Sequence, residues 1–211
     1  MKKQSYIPAT IMITVITLSA LLMNITKFFL RLYIFPVMLI VFPLVFDRSF
    51  SYSTDIIKPG KRGLKLFLSI SVLVLVFYPF LFFLYWQGFI GRTIVQPGYR
   101  EVSEALYTGM IAFLVAAVPE EFFFRGYLQE HVLKKFNKKI LKIITLKNLM
   151  TSALFGALHA VALLNIAGAA TFFPSLLFGL FTEKSGGRIF YSIAFHTLSN
   201  VLAFILWTFI R

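Results

Sequence analysis

Two adjacent carboxylates and an arginine interrupt a long apolar run: Val118-Pro119-Glu120-Glu121-Phe122-Phe123-Phe124-Arg125-Gly126. The chain has 211 residues and only 8 acidic ones. Placing two of these side by side in lipid-like surroundings costs on the order of several kcal/mol, so such a cluster is a candidate functional site. Other polar residues recur in later apolar stretches: Ser152 and His159, then Ser192, His196, Ser199 and Asn200. Glu121 with Arg125, and His196 with Asn200, are spaced i,i+4 and share a helix face. These types suit hydrolysis. A carboxylate in a partly dry cavity is a better base toward water. A neutral histidine can hold that water or pass a proton to a leaving amine. A second histidine with an asparagine amide can meet a developing oxyanion. Arginine, always charged, can keep the second glutamate ionised.

The elements that must position these groups are membrane spans. The sequence is 59% hydrophobic with mean hydropathy +0.83, beyond the ~45–50% apolar share of soluble domains. The expectation is an all-α, polytopic transmembrane bundle of about seven spans, within a range of roughly six to eight. The spans fall near residues 6–23, 28–46, 66–86, 105–132, 149–164, 167–181 and 189–210. Residues 87–104 are a loop or an interfacial segment, and the first span is read as retained rather than cleaved. Pro119 should kink the fourth span just before the glutamates.

Depth links the spans. At about 1.5 Å per residue, Glu120, Arg125, His159, His196 and Asn200 all lie about 12–20 Å from the basic ends of their helices. Ser152, Gly156 and Ala160 form a small-residue stripe that permits close approach, and Gly126 does the same beside Arg125. Other readings stand beside these. Glu121–Arg125 serves as a structural pair. Ser192 and Ser199 bond helix to helix. His131 is interfacial.

The net charge is +13. The basic residues sit between apolar runs, which assigns them to topology and anionic lipid rather than nucleic acid. Lys2 and Lys3, the 47–65 loop, the lysine loop from Lys134 to Lys147, and Lys184 with Arg188 outweigh Lys27, Arg31, Arg92, Arg100 and Arg211. The positive-inside rule then puts the N-terminus in the cytoplasm and the site in the cytoplasmic half of the bilayer. With no cysteine there are no disulfides or thiolate ligands.

Three short motifs in order resemble the CAAX protease and bacteriocin-processing (CPBP, or ABI) family of intramembrane proteases. They are Glu120-Glu121-Phe122-Phe123-Phe124-Arg125, Phe155-Gly156-Ala157-Leu158-His159 and His196-Thr197-Leu198-Ser199-Asn200. The continuation to Leu128 and the stretch from Pro174 to Gly179 also look like the family. The resemblance implies one integral membrane domain over 1–211, with a catalytic core at 105–204 and additional spans and loops at 1–104. It implies an intramembrane endopeptidase that cuts a membrane-associated protein or peptide: a CAAX-type tail, a leader or an anchor. In that reading Glu120 activates water with His159, His196 and Asn200 form the oxyanion site, and Glu121 and Arg125 support them. No cofactor is expected; the alternative is a zinc site of Glu120, His159 and His196.

Two other classes compete: a non-catalytic immunity or scaffold protein of the same fold, and a proton-coupled transporter. The intact motif set weighs against the first. Polar clusters confined to the second half weigh against the second.

Overall fold

The computed structural model describes residues 6–25, 34–140 and 142–211. Among these the architecture is all helical: α1 (Ile7–Ile25), α2 (Phe35–Phe46), α3 (Lys61–Phe83), α4 (Tyr99–Val132), α5 (Leu146–Leu163), α6 (Phe172–Lys184) and α7 (Phe190–Trp207). A 3₁₀ turn, Thr54–Ile57, precedes α3, and another, Ile166–Thr171, leads into α6. Five of these helical stretches are long and apolar enough to cross a membrane; the apolar parts of α1 and α2 are shorter. The expected start of the second span, with Lys27 and Arg31, lies outside the described residues. So do Lys2 and Lys3.

The helices sort by how much they bury. The most apolar window of α3 is 11% buried and that of the α6 segment 39%. Hence α3 presents a bare face of Leu64, Leu68, Val72, Val76 and Phe80 to the surroundings, and α6 lies inside. The core is continuous across the chain. Met12 and Ile16 of α1 and Leu39 of α2 join Phe123, Phe124, Tyr127, Phe155, Phe178 and Phe195 in one buried cluster.

The loops divide between two ends. At one, Ile189 N–H donates to Ile56 O (2.8 Å) and Arg188 reaches Pro59 O (3.3 Å). There too Lys147 pairs with Glu130 (2.7 Å), and Lys135 lies 4.5 Å over the Tyr6 ring. The start of α1, the 47–60 loop, the lysine loop and the α6–α7 turn therefore share this basic end. At the other end, Thr93 N–H donates to Arg211 O (3.0 Å) and Val95 N–H to Phe209 O (2.9 Å). The ambiguous 87–104 stretch is thus neither a further span nor a re-entrant helix. Its first part extends α3 to Phe89, its middle pairs with the backbone after α7, and its last part is the first turn of α4.

Helix α4 is not regular. It widens to i→i+5 bonding at Phe113–Ala117, returns to α geometry over Val118–Glu121, and widens again over Phe122–Val132. Pro119 sits in the short α turn, where its missing N–H removes a rung of the ladder. Such π segments are frequent at functional sites.

Candidate active site

Four helices converge on Glu120. Its Oε2 lies 3.9 Å from Nε2 of His159 on α5 and 3.9 Å from Nε2 of His196 on α7. That oxygen is buried and has no hydrogen-bond partner. The fourth helix, α6, contributes Phe178, on which the His196 ring stacks at 4.6 Å and 14°.

Each imidazole is oriented from behind. His159 Nδ1 lies 2.9 Å from Phe155 O, its ring stacked 4.2 Å from the Phe155 ring. A carbonyl only accepts, so Nδ1 carries the proton and Nε2 faces Glu120. His196 Nδ1 lies 3.0 Å from Glu121 Oε1. Against a carboxylate that nitrogen is again the donor. The two adjacent glutamates thus address opposite sides of one ring.

Behind Glu121 runs a buried polar file that fixes it in place. Ser192 Oγ donates to Glu121 Oε2, and Arg125 Nε faces the same oxygen at 3.5 Å, both charged side chains fully buried. Arg125 also donates from Nη2 to Ser175 O (2.8 Å) and Oγ, and from Nη1 to Gln129 Oε1 (2.9 Å). Gln129 in turn donates to Gly179 O (3.1 Å). The expected Glu121–Arg125 pair is present, but Ser175 and Gln129 occupy most of the guanidinium.

Glycines let the helices close on this file. A Cβ at Gly179 would stand 2.0 Å from Asn148 Oδ1 and 2.7 Å from Gln129 Oε1. One at Gly156 would stand 2.8 Å from Ala169 O, and one at Gly168 2.7 Å from His159 O. Within the expected stripe of Ser152, Gly156 and Ala160 on α5, Gly156 makes the close approach to the 3₁₀ turn before α6.

The sequence-derived site is brought together in all but one member. Glu120, Glu121, Arg125, His159 and His196 form the cluster. Asn200, one turn beyond His196, instead lines an apolar cavity of about 570 Å³ between α3, the 3₁₀ turn, α6 and α7, with Ser199, Phe195 and Tyr78. Helical spacing marks neither Ser175 nor Gln129 as a site residue; it reads Ser192 as a helix-to-helix bonder, and the acceptor of that bond is Glu121. His131 lies at the basic end of α4, beside Asp47 (3.4 Å) and Ser49 (3.2 Å).

Among the described residues no three His, Asp or Glu side chains are grouped to hold a metal ion. Zinc bonds of about 2.0–2.2 Å in a tetrahedron would require Glu120 Oε2 and the two Nε2 atoms to draw closer than 3.9 Å. The trio is wider than a zinc site.

Residues 102–202 match the family model of the Rce1-like type II CAAX prenyl endopeptidases. This segment belongs to the CAAX protease family. The CAAX-protease segment runs from the start of α4 into α7, just under half the chain, and contains all three motifs. The match supports an intramembrane endopeptidase activity, with a protein substrate presented in the bilayer. No curated protein and no solved structure matches the chain.

Proposed function

We propose that this protein hydrolyses a peptide bond of a membrane-associated protein or peptide, such as a CAAX-type tail, with Glu120 as the base that activates water. The observation that carries this is the buried, unpartnered Oε2 of Glu120, equidistant from two imidazole Nε2 atoms. The separations are too long for direct hydrogen bonds and suit a water held between the three groups.

The residues then divide the work. Glu120 takes a proton from water as its oxygen attacks the scissile carbonyl carbon. His159, its Nδ1–H fixed on Phe155 O, directs Nε2 at that water and exchanges its second proton. His196 donates to the tetrahedral oxyanion from Nε2 when it is an imidazolium, and Glu121 at Nδ1 supplies the countercharge. Collapse breaks the C–N bond, and the proton on Glu120 passes to the leaving amine. No cofactor enters this scheme.

We read the whole chain as one membrane domain, its catalytic half at 105–204. Its basic end faces the cytoplasm by the positive-inside rule, so the N-terminus is cytoplasmic. The site lies in the cytoplasmic half of the bilayer, with His196 within the first two turns of α7. The test compares membranes expressing wild type or Glu120→Gln at matched abundance, with mass spectrometry of new peptide termini. Termini that arise only with the wild type, and that vanish with His159→Ala, support the reading. Identical termini across well-covered membrane proteins and an added panel of CAAX-type peptides overturn it.

A further inference from the structure

The start of α3 breaks a rule of helix ends. Its N-cap, Gly60, has no side chain to accept from the first turn, and that turn holds Lys61 and Arg62 with no acid. Cations at a helix N-terminus oppose the positive end of the macrodipole, which favours anions. Around this end the fold forms a pocket of about 450 Å³. Its lining adds Lys184 from the last turn of α6 and Arg188 from the α6–α7 turn, and also Ser185. The pocket therefore gathers four cations from three segments. Glu183 also lines it, but its Oε1 is taken by Thr145 Oγ1. Ser185 packs against α3 and is 6% exposed, its hydroxyl set against Gly63 and Tyr191, which do not line the pocket. A Cβ at Gly60 would stand 2.9 Å from Ser185 O, so the α3 N-terminus is pressed directly onto the end of α6.

We infer that this pocket is a binding site for the phosphate of an anionic phospholipid headgroup. A phosphate there meets the α3 N-terminus and the four cations at once. Basic pockets between transmembrane helices on the positive side of a protein bind such headgroups. The pocket's setting favours a lipid over a soluble anion. It opens at the basic end of α3, the helix with the barest apolar face, and Leu64 and Leu68 stand 46% and 53% exposed directly below Lys61. Acyl chains attached to a phosphate in the pocket have that face to lie along. The inference is independent of the peptidase reading, since the pocket shares no residue with the glutamate–histidine cluster.

The test uses the full-length protein in mild detergent. Unfolding temperature is followed as short-chain phosphatidylglycerol, phosphatidylcholine or inorganic phosphate is added. The site predicts a saturable rise with phosphatidylglycerol and none with phosphatidylcholine. It predicts that K61Q/R62Q/R188Q weakens the apparent affinity at least tenfold. A control of equal charge change away from the pocket, K134Q/K138Q/K142Q, should bind as the wild type does. Equal loss in both triple variants would reduce the effect to diffuse surface charge and overturn the site. An unchanged response in the pocket variant, or no saturable rise at all, would also overturn it. Displacement of the lipid by millimolar inorganic phosphate would overturn the lipid assignment and leave a soluble-phosphate site; resistance to it supports the lipid. If the pocket variant fails to fold, native mass spectrometry of lipid retention by Lys184→Gln, with the other pocket cations intact, decides the same question.

Discussion

Glu121 Oε1 lies 3.0 Å from Nδ1 of His196, 75 positions further along the chain, and this contact decides which nitrogen of the ring faces Glu120. With Nδ1 occupied, Nε2 is turned to Glu120. The second glutamate of the pair therefore acts through the histidine, and the two carboxylates should respond differently to substitution.

Glu120→Gln keeps the shape of the site and removes the proposed base. Peptidase activity should fall by about 10²–10⁴-fold, the scale of general-base catalysis, with the unfolding temperature unchanged. Glu121→Gln should lower both, because a buried Arg125 and the Ser192 hydroxyl lose their charged partner. Activity and thermal unfolding measured on the same preparations separate the two; equal stability losses would put Glu120 in the structural file as well.

Arg125 is fully buried among Glu121, Ser175 and Gln129. Arg125→Ala leaves a buried carboxylate without its cation, a change worth about 3–5 kcal/mol. Lysine restores the charge but not the planar fork that reaches Ser175 and Gln129 together. Arg125→Lys should therefore recover only part of the loss in denaturant unfolding of the detergent-solubilised protein.

Gly179→Ala places a methyl within 2.0 Å of Asn148 Oδ1. Overpacking of this kind costs about 1–3 kcal/mol. Its distinctive sign is that the file behind Glu121 is displaced, so activity should drop alongside stability. Gly88→Ala, which meets only the tip of Leu84 at 3.7 Å, is the matched control and should change neither.

Asp47, just past α2, ties that helix to α4 through the Tyr127 hydroxyl (3.0 Å) and to Ser49. Burial pushes its carboxyl up, but the Ser49 side chain and N–H, the Tyr127 hydroxyl and His131 outweigh this and hold it below its ordinary value of 3.8. A depressed folded-state value means stability that is complete above pH 3.8 and is lost as pH falls through the lower one. The stability gap between wild type and Asp47→Asn should be constant at neutral pH and close below about pH 3.8. A gap that persists at more acidic pH would show that the contact is not ionic.

Prolonged treatment of the purified enzyme with chelators, followed by dialysis, should leave its activity intact. Loss of activity that added zinc restores would replace the water-activating glutamate with a metal held by Glu120, His159 and His196.

Much of the site was legible because polar groups are rare in these spans. Glu120, His159 and His196 stand out against apolar neighbours, and helical spacing aligns them. Ser175 and Gln129 did not stand out. A serine in a span usually bonds its own helix or the next, and nothing local marks Ser175 as the acceptor for a guanidinium 50 positions away. Lys147 was hidden for a similar reason: it reads as one of a run of loop lysines, yet it is buried against Glu130. The π geometry of α4 left no trace beyond Pro119, since i→i+5 bonding arises from packing rather than propensity. The number of helices was readable from hydropathy, though only five are long and apolar enough to cross a membrane, and the role of residues 87–104 depended on pairing with the distant stretch after α7.

The core shared by Met12, Ile16 and Leu39 with Phe123 and Tyr127 has a consequence for how such a chain can diverge. Those three side chains supply volume, not chemistry, to the wall behind the catalytic helix. Selection on them acts on size and shape, and many apolar residues satisfy it. The N-terminal helices thus hold α4 through the space they fill at those three positions, and apolar residues of matching volume there should leave it in place.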